Sequence, residues 1–139
     1  MTSTDKESKE KLSEFRTAVE NEPISTFLGM KLVELEPGYA KVSMKMRPEY
    51  LTFNGYIFGG IITCLADQAF ACAANSVGRM SIATQFNSHF ISGPKPDDLL
   101  IAECRFIRKG RRVDICEMTV TNDEGKLIAT ATGTAIPTT

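Results

Sequence analysis

The sequence predicts an α+β domain in which a curved antiparallel sheet wraps one long central helix. Three observations lead there. Residues 59–78, GGIITCLADQAFACAANSVG, are apolar on nearly every side, the pattern of a helix enclosed by other elements rather than laid on a surface. Two strand-like runs precede this segment and four follow it, joined by short turns of the kind that connect antiparallel neighbours. A lone helix of this character needs a sheet curling around it, and 139 residues can bury a core in one domain without a metal or disulfide.

Residues 1–5 are polar and are expected to be disordered. From Lys6 to Asn21, Leu12, Phe15 and Val19 recur at spacings of three and four, which predicts a short amphipathic helix that Pro23 ends or lies just beyond. Residues 1–22 therefore read as a tail with a helix, and residues 23–139 as the main domain. Met30 to Glu36 reads as a strand whose apolar positions change phase between Leu32 and Val33, the signature of a bulge. After the turn signal Glu36-Pro37-Gly38, Ala40, Val42, Met44 and Met46 alternate with Lys41, Ser43, Lys45 and Arg47, as in a half-buried strand. In the long helix Ala66, Ala69, Ala71, Ala73 and Ala74 would let strands approach closely. Beyond Gly78 the strand-like runs are Ile82 to Ile91, Leu99 to Arg108, Val113 to Thr121 and Leu127 to Ile136. KGRR and Asn122-Asp123-Glu124-Gly125 are the tight turns joining the last three.

Several classes of function are excluded at this level. The net charge is −1, from 16 basic and 17 acidic side chains, so the strongly basic balance of a nucleic-acid protein is missing. The polar N-terminus has no apolar core of a secretory signal, and a cytoplasmic location is expected. Residues 59–78 are long enough to span a bilayer. That reading would place Asp67 near the bilayer centre at roughly 2.5–3.5 kcal/mol, and there is no second span, so no membrane partner is expected. Four cysteines without a CxxC pair, and one histidine, give no metal-ligand spacing. The cysteines are expected to be reduced, buried thiols that act as small hydrophobes.

The segment FGGIITCLADQAFACAANSVG resembles the central helix of the PaaI-type thioesterases of the hotdog superfamily, whose usual form is HGG followed by a run to LAD. Gly59-Gly60, Leu65-Ala66-Asp67 and Phe70 match in register. FLGMKLVELEPGYAKVSMKMRPEYL resembles the family's first hairpin, and FIRKGRRVDICEMTVTNDEGKLIATATGTA its last three strands, so the likeness covers roughly residues 27–136. What the resemblance implies is a hotdog fold of five or six strands, a homodimer that commonly pairs again into a tetramer, and hydrolysis of acyl-CoA or related thioesters without metal or cofactor. The acyl chain would lie at the dimer interface and the CoA phosphates near the surface. This chain departs from the family's pattern at three places. Phe58 stands where the family has His, and Thr52 where it has Asn, with Asn54 close by. Ala83 aligns with a Ser or Thr on the following strand, with Thr84 adjacent.

Thioester hydrolysis needs a carboxylate that activates water or attacks directly, and donors for the developing oxyanion. Asp67 sits mid-helix among apolar neighbours, where Asp has poor helix propensity and burial would raise its pKa; pairing with a basic residue is the alternative. Gly59 and Gly60 begin the helix, where N–H groups are unpaired and the macrodipole is positive, so the Gly60 amide could polarise a carbonyl. Tight packing alone would also explain two glycines. Asp67 lies eight residues past Gly59, about 12 Å along a helix, so both can meet one carbonyl only across two chains. Thr52, Asn54, Phe58, Gly59 and Thr84 are candidate substrate contacts, Thr84 because alternation puts it on one face with Ile82, Phe86 and Phe90. His89 falls on the opposite face and is expected to be structural or exposed. Arg108, Lys109, Arg111 and Arg112 could hold CoA phosphates or be a solvated hairpin tip.

The leading expectation is an acyl-CoA thioesterase. A non-catalytic acyl-CoA-binding or sensor protein is the alternative, supported by the missing histidine. A hotdog dehydratase or hydratase is disfavoured by the position of His89.

Overall fold

The computed structural model describes residues 2–138. Its elements run α1 (Ser3–Glu20), α2 (Pro23–Leu28), β1 (Met30–Glu36), β2 (Tyr39–Lys45), a 3-10 turn (Pro48–Tyr50), α3 (Gly59–Ala74), β3 (Ser81–Phe90), β4 (Leu99–Lys109), β5 (Asp114–Asn122) and β6 (Leu127–Pro137). The six strands form one antiparallel sheet in the order β1-β2-β4-β5-β6-β3, so β1 and β3 are its edges. α3 lies in the concave face, chiefly across β2, β4 and β5.

The alternating apolar residues of β2, Ala40, Val42 and Met44, point inward together with Leu100, Ala102 and Cys104 of β4 and Cys116, Met118 and Val120 of β5. The small residues of α3 seat it on that surface: Ala66, Ala69, Ala73 and Ala74 are buried, whereas Ala71 is exposed and takes no part in the packing expected of it. One contact is unusually close. Phe70, 1% exposed, lies over Gly133 of β6, where an added Cβ would stand 2.6 Å from the ring. Gly133→Ala is expected to cost about 1–3 kcal/mol by overpacking, read as a lower urea midpoint with an unchanged denaturant slope.

The bulge anticipated near Val33 is present, as a register shift between Leu32 and Glu34. Other expectations are corrected. Residues 3–5 are helical rather than disordered, because Thr2 accepts from the Asp5 N–H while the Asp5 carboxylate accepts from the Thr2 N–H, a reciprocal cap; Met1 lies outside the described residues. Pro23 lies just beyond α1 as expected, and it also opens α2, from the first helical position, where its missing N–H has no cost. The long helix stops at Ala74, capped by Asn75, rather than at Gly78. Among the described residues no helix is long and apolar enough to cross a membrane. Cys72, Cys104 and Cys116 are buried free thiols, but Cys64 is exposed.

Candidate active site

α3 leaves one stripe uncovered. Gly60, Thr63, Cys64, Asp67 and Ala71 are half-buried or exposed, at spacings that set them along one side of the helix, while the rest of its circumference is largely sealed by the sheet. This open side is not legible in the residues of the helix, because it depends on how far around α3 the sheet reaches.

Asp67 sits in the middle of the stripe. It is exposed in the single chain rather than enclosed, yet the apolar bulk around it still hinders ionisation and raises its carboxyl above the ordinary range. No ion pair among the described residues involves it. The neighbouring Cys64 thiol is also raised, by burial first and by the Asp67 charge second.

The N-terminus of α3 is prepared by the loop before it. The buried Tyr50 donates its hydroxyl to the Leu28 carbonyl at 2.7 Å, and its own carbonyl accepts from the Phe58 N–H at 2.8 Å. Between these anchors Leu51 bridges Ile57, and a turn closes over Thr52–Gly55. Thr52 Oγ1 donates to Asn54 Oδ1, so these two candidates are brought together but satisfy each other. Phe58 caps α3 with its backbone, and no side chain caps the helix. Among the described residues, no partner accepts from the N–H of Gly59 or Gly60.

Both glycines are covered by aromatic rings. A Cβ on Gly60 would stand 2.5 Å from the Phe58 ring, and one on Gly59 would stand 3.0 Å from Phe90. Any side chain here would displace an aromatic. Beside them Tyr56, Ile57, Ile62, Phe90 and Ile91 line a pocket of about 220 Å³.

Thr84 is not placed as alternation predicted. A register shift between Ala83 and Gln85 takes it out of the ladder, so Ile82 and Phe86 point to opposite faces. The Thr84 hydroxyl donates to the Thr134 carbonyl at 3.3 Å, the role of an ordinary sheet polar group. His89 pairs with Thr130 on the outer face, opposite to Phe86.

Arg108, Lys109, Arg111 and Arg112 are exposed at the β4–β5 turn. The turn lies near Gly78 and Arg79, beyond the C-terminal end of α3 and away from the glycine pair of the same chain. Sequence reading missed a larger opening of about 620 Å³ between α1 and the second half of α3. Phe15, Val19, Gln68, Ala71, Cys72 and Met80 line it, so it begins at the residue that follows Asp67. The spacing of Phe15 and Val19 showed that α1 has an apolar face, but not what that face borders. Among the described residues no group of three or more His, Cys, Asp or Glu side chains could hold a metal ion.

With this geometry in view, residues 54–129 match the thioesterase superfamily. A putative esterase of Archaeoglobus fulgidus is 35% identical over 114 residues, covering 82% of this chain and 74% of that protein. The acyl-coenzyme A thioesterase PaaI of Escherichia coli is 27% identical, with 79% of each chain covered. The solved structure of the E. coli PaaI protein superposes with a TM-score of 0.85 at 25% identity, over 88% of this chain and 89% of that one. A Streptococcus mutans protein solved bound to acetyl CoA gives a TM-score of 0.75 at 28% identity, over 78% and 88%. The chain belongs to the thioesterase superfamily. Within it the chain is a hotdog protein of the PaaI type, its six-stranded sheet curved around one long helix.

Proposed function

We propose that the chain is an acyl-CoA thioesterase working as a pair of copies, with Asp67 as general base or nucleophile and the Gly60 amide as oxyanion donor. The observation that carries this is the Asp67 carboxylate: without an ion-pair partner among the described residues, centred on an uncovered stripe of α3, and with its pKa raised by the apolar bulk around it. Eight residues, about 12 Å, separate it from Gly59 on one helix, so the donors that complete its site come from a second chain. Two features support such pairing. Exposed apolar residues flank the stripe at both ends, Met80 beside Ala71 and Phe90 beside Gly59. Edge strand β3, SIATQFNSHF, carries none of the Lys, Glu or Pro residues that ordinarily protect an edge. If two copies of α3 ran antiparallel, the basic turn of one would approach the glycine pair of the other, with the CoA phosphates near the turn and the acyl chain near the opening past Asp67. The acyl-CoA chemistry of the E. coli relative, and the acetyl CoA bound to the S. mutans protein, point the same way.

A second reading rests on Phe58. Its ring lies against Gly60, the position where a reacting carbonyl would approach, which favours a protein that binds acyl-CoA without cleaving it. Release of free CoA from short, long and aromatic acyl-CoAs separates the two. Turnover abolished by Asp67→Ala is the expected result; tight binding without release in either protein would establish the binder instead.

A further inference from the structure

The β4–β5 turn is held from inside the protein. Asp114, 0% exposed, opens β5 directly beneath it. Arg79 Nη2 donates to Asp114 Oδ1 at 2.7 Å and Oδ2 at 2.9 Å, and also to the Gly110 carbonyl at 2.8 Å. The Gly110 N–H donates back to Asp114 Oδ1 at 3.0 Å. The turn also closes tightly on itself: a Cβ on Gly110 would stand 2.3 Å from the Val113 carbonyl oxygen. Around this fixed backbone Arg108, Arg111 and Arg112 line a hollow of about 520 Å³ that no carboxylate enters. Arg79 Nε is buried without a partner among the described residues. The guanidinium thus stands where the turn requires it rather than where its own bonding would be complete.

We propose that Arg79 and Asp114 are positioning residues that hold the 108–112 turn as a preformed site for the phosphate groups of CoA. The proposal rests on the acyl-CoA reading above. Guanidinium groups suit phosphate because their forked donors match its oxygens. A backbone already fixed in the binding shape spares the ordering that a loose hairpin tip would undergo. Neither residue touches the ligand. Asp114 is sealed, and Nη2 of Arg79 is engaged with Asp114 and Gly110. Arg79 follows α3 by five residues, so the pair also ties the end of that helix to the turn.

Calorimetric titration with free CoA, and with pantetheine, which has the thiol arm but no phosphate, tests this without requiring turnover. It therefore separates the claim from the hydrolase assignment. Arg79→Lys keeps the charge on a side chain one atom shorter, which draws the donor away from Asp114 and Gly110; Gly110→Ala displaces the turn and removes no charge. Each is expected to weaken CoA about tenfold, the loss of one charged contact, with pantetheine unaffected and the circular dichroism of the wild type. Equal weakening of both ligands would make the pair general scaffolding and overturn the proposal, as would undiminished CoA affinity in both variants. CoA binding of wild-type strength in an R111A/R112A double variant would overturn the phosphate site itself, whatever the protein hydrolyses.

Discussion

Asp67→Asn is expected to lower kcat for acyl-CoA hydrolysis by about 10²–10⁴-fold, the usual contribution of a positioned general base. The substitution keeps the shape of the side chain and removes its ability to take a proton or attack a carbonyl. In the wild type, kcat/KM should fall as the pH drops through the Asp67 pKa, at a pH above the ordinary carboxylate range because apolar surroundings hinder ionisation. The same shift fixes the effect on stability. A carboxyl whose folded pKa is raised binds its proton more tightly in the native state, so its stabilisation is full below the unfolded pKa and is lost as the pH rises through the folded one. At neutral pH the ionised Asp67 therefore disfavours folding. Asp67→Asn should raise Tm there while abolishing activity, and the gain in Tm should vanish in acid. An inactive variant with a lowered Tm at neutral pH would show that Asp67 supports the fold, and an unimpaired kcat would end its catalytic assignment.

The largest loss of stability is expected from Asp114→Ala, about 3–5 kcal/mol by equilibrium urea unfolding. The carboxylate is wholly enclosed and receives donors from Arg79 and from the Gly110 backbone. Removing it strands a guanidinium whose side chain is only 22% exposed, and leaves the Gly110 N–H without its acceptor. Most of that loss comes from the abandoned charge rather than from the pair's own net worth. Replacing both partners with apolar side chains, R79M/D114L, should therefore restore much of the stability. A double variant as unstable as the single one would mean that the backbone contacts to the turn matter more than the charge.

Much of the fold was written in local pattern. The period-two runs of β2, β4, β5 and β6 located the strands within a residue or two, and the phase change in β1 located its bulge. The pattern failed where one residue changes the geometry of several. The register shift beside Thr84 reverses which of its neighbours face inward, and nothing in IATQF signals that. The start of α1 is legible in the spacing of Thr2 and Asp5, which is that of a reciprocal cap, although the polar residues around them lack the apolar pattern of a helix. At the candidate site, Asp67 and the glycine pair stood out as chemistry in unusual surroundings. The open stripe did not, since exposure there depends on where the sheet ends. The Arg79–Asp114 pair was invisible for a different reason: its members lie 35 positions apart, and each alone reads as a charged residue facing water.

The cysteines described above are unevenly protected. The neighbouring Cys116 thiol and burial together hold the Cys104 thiol far from ionisation, and burial pushes Cys72 up to about 12. Reagents need a thiolate they can reach, which these three do not offer. Only Cys64 is open, one turn ahead of Asp67. Its rate of reaction with a thiol reagent therefore reports whether that side of α3 is open or covered by a second copy.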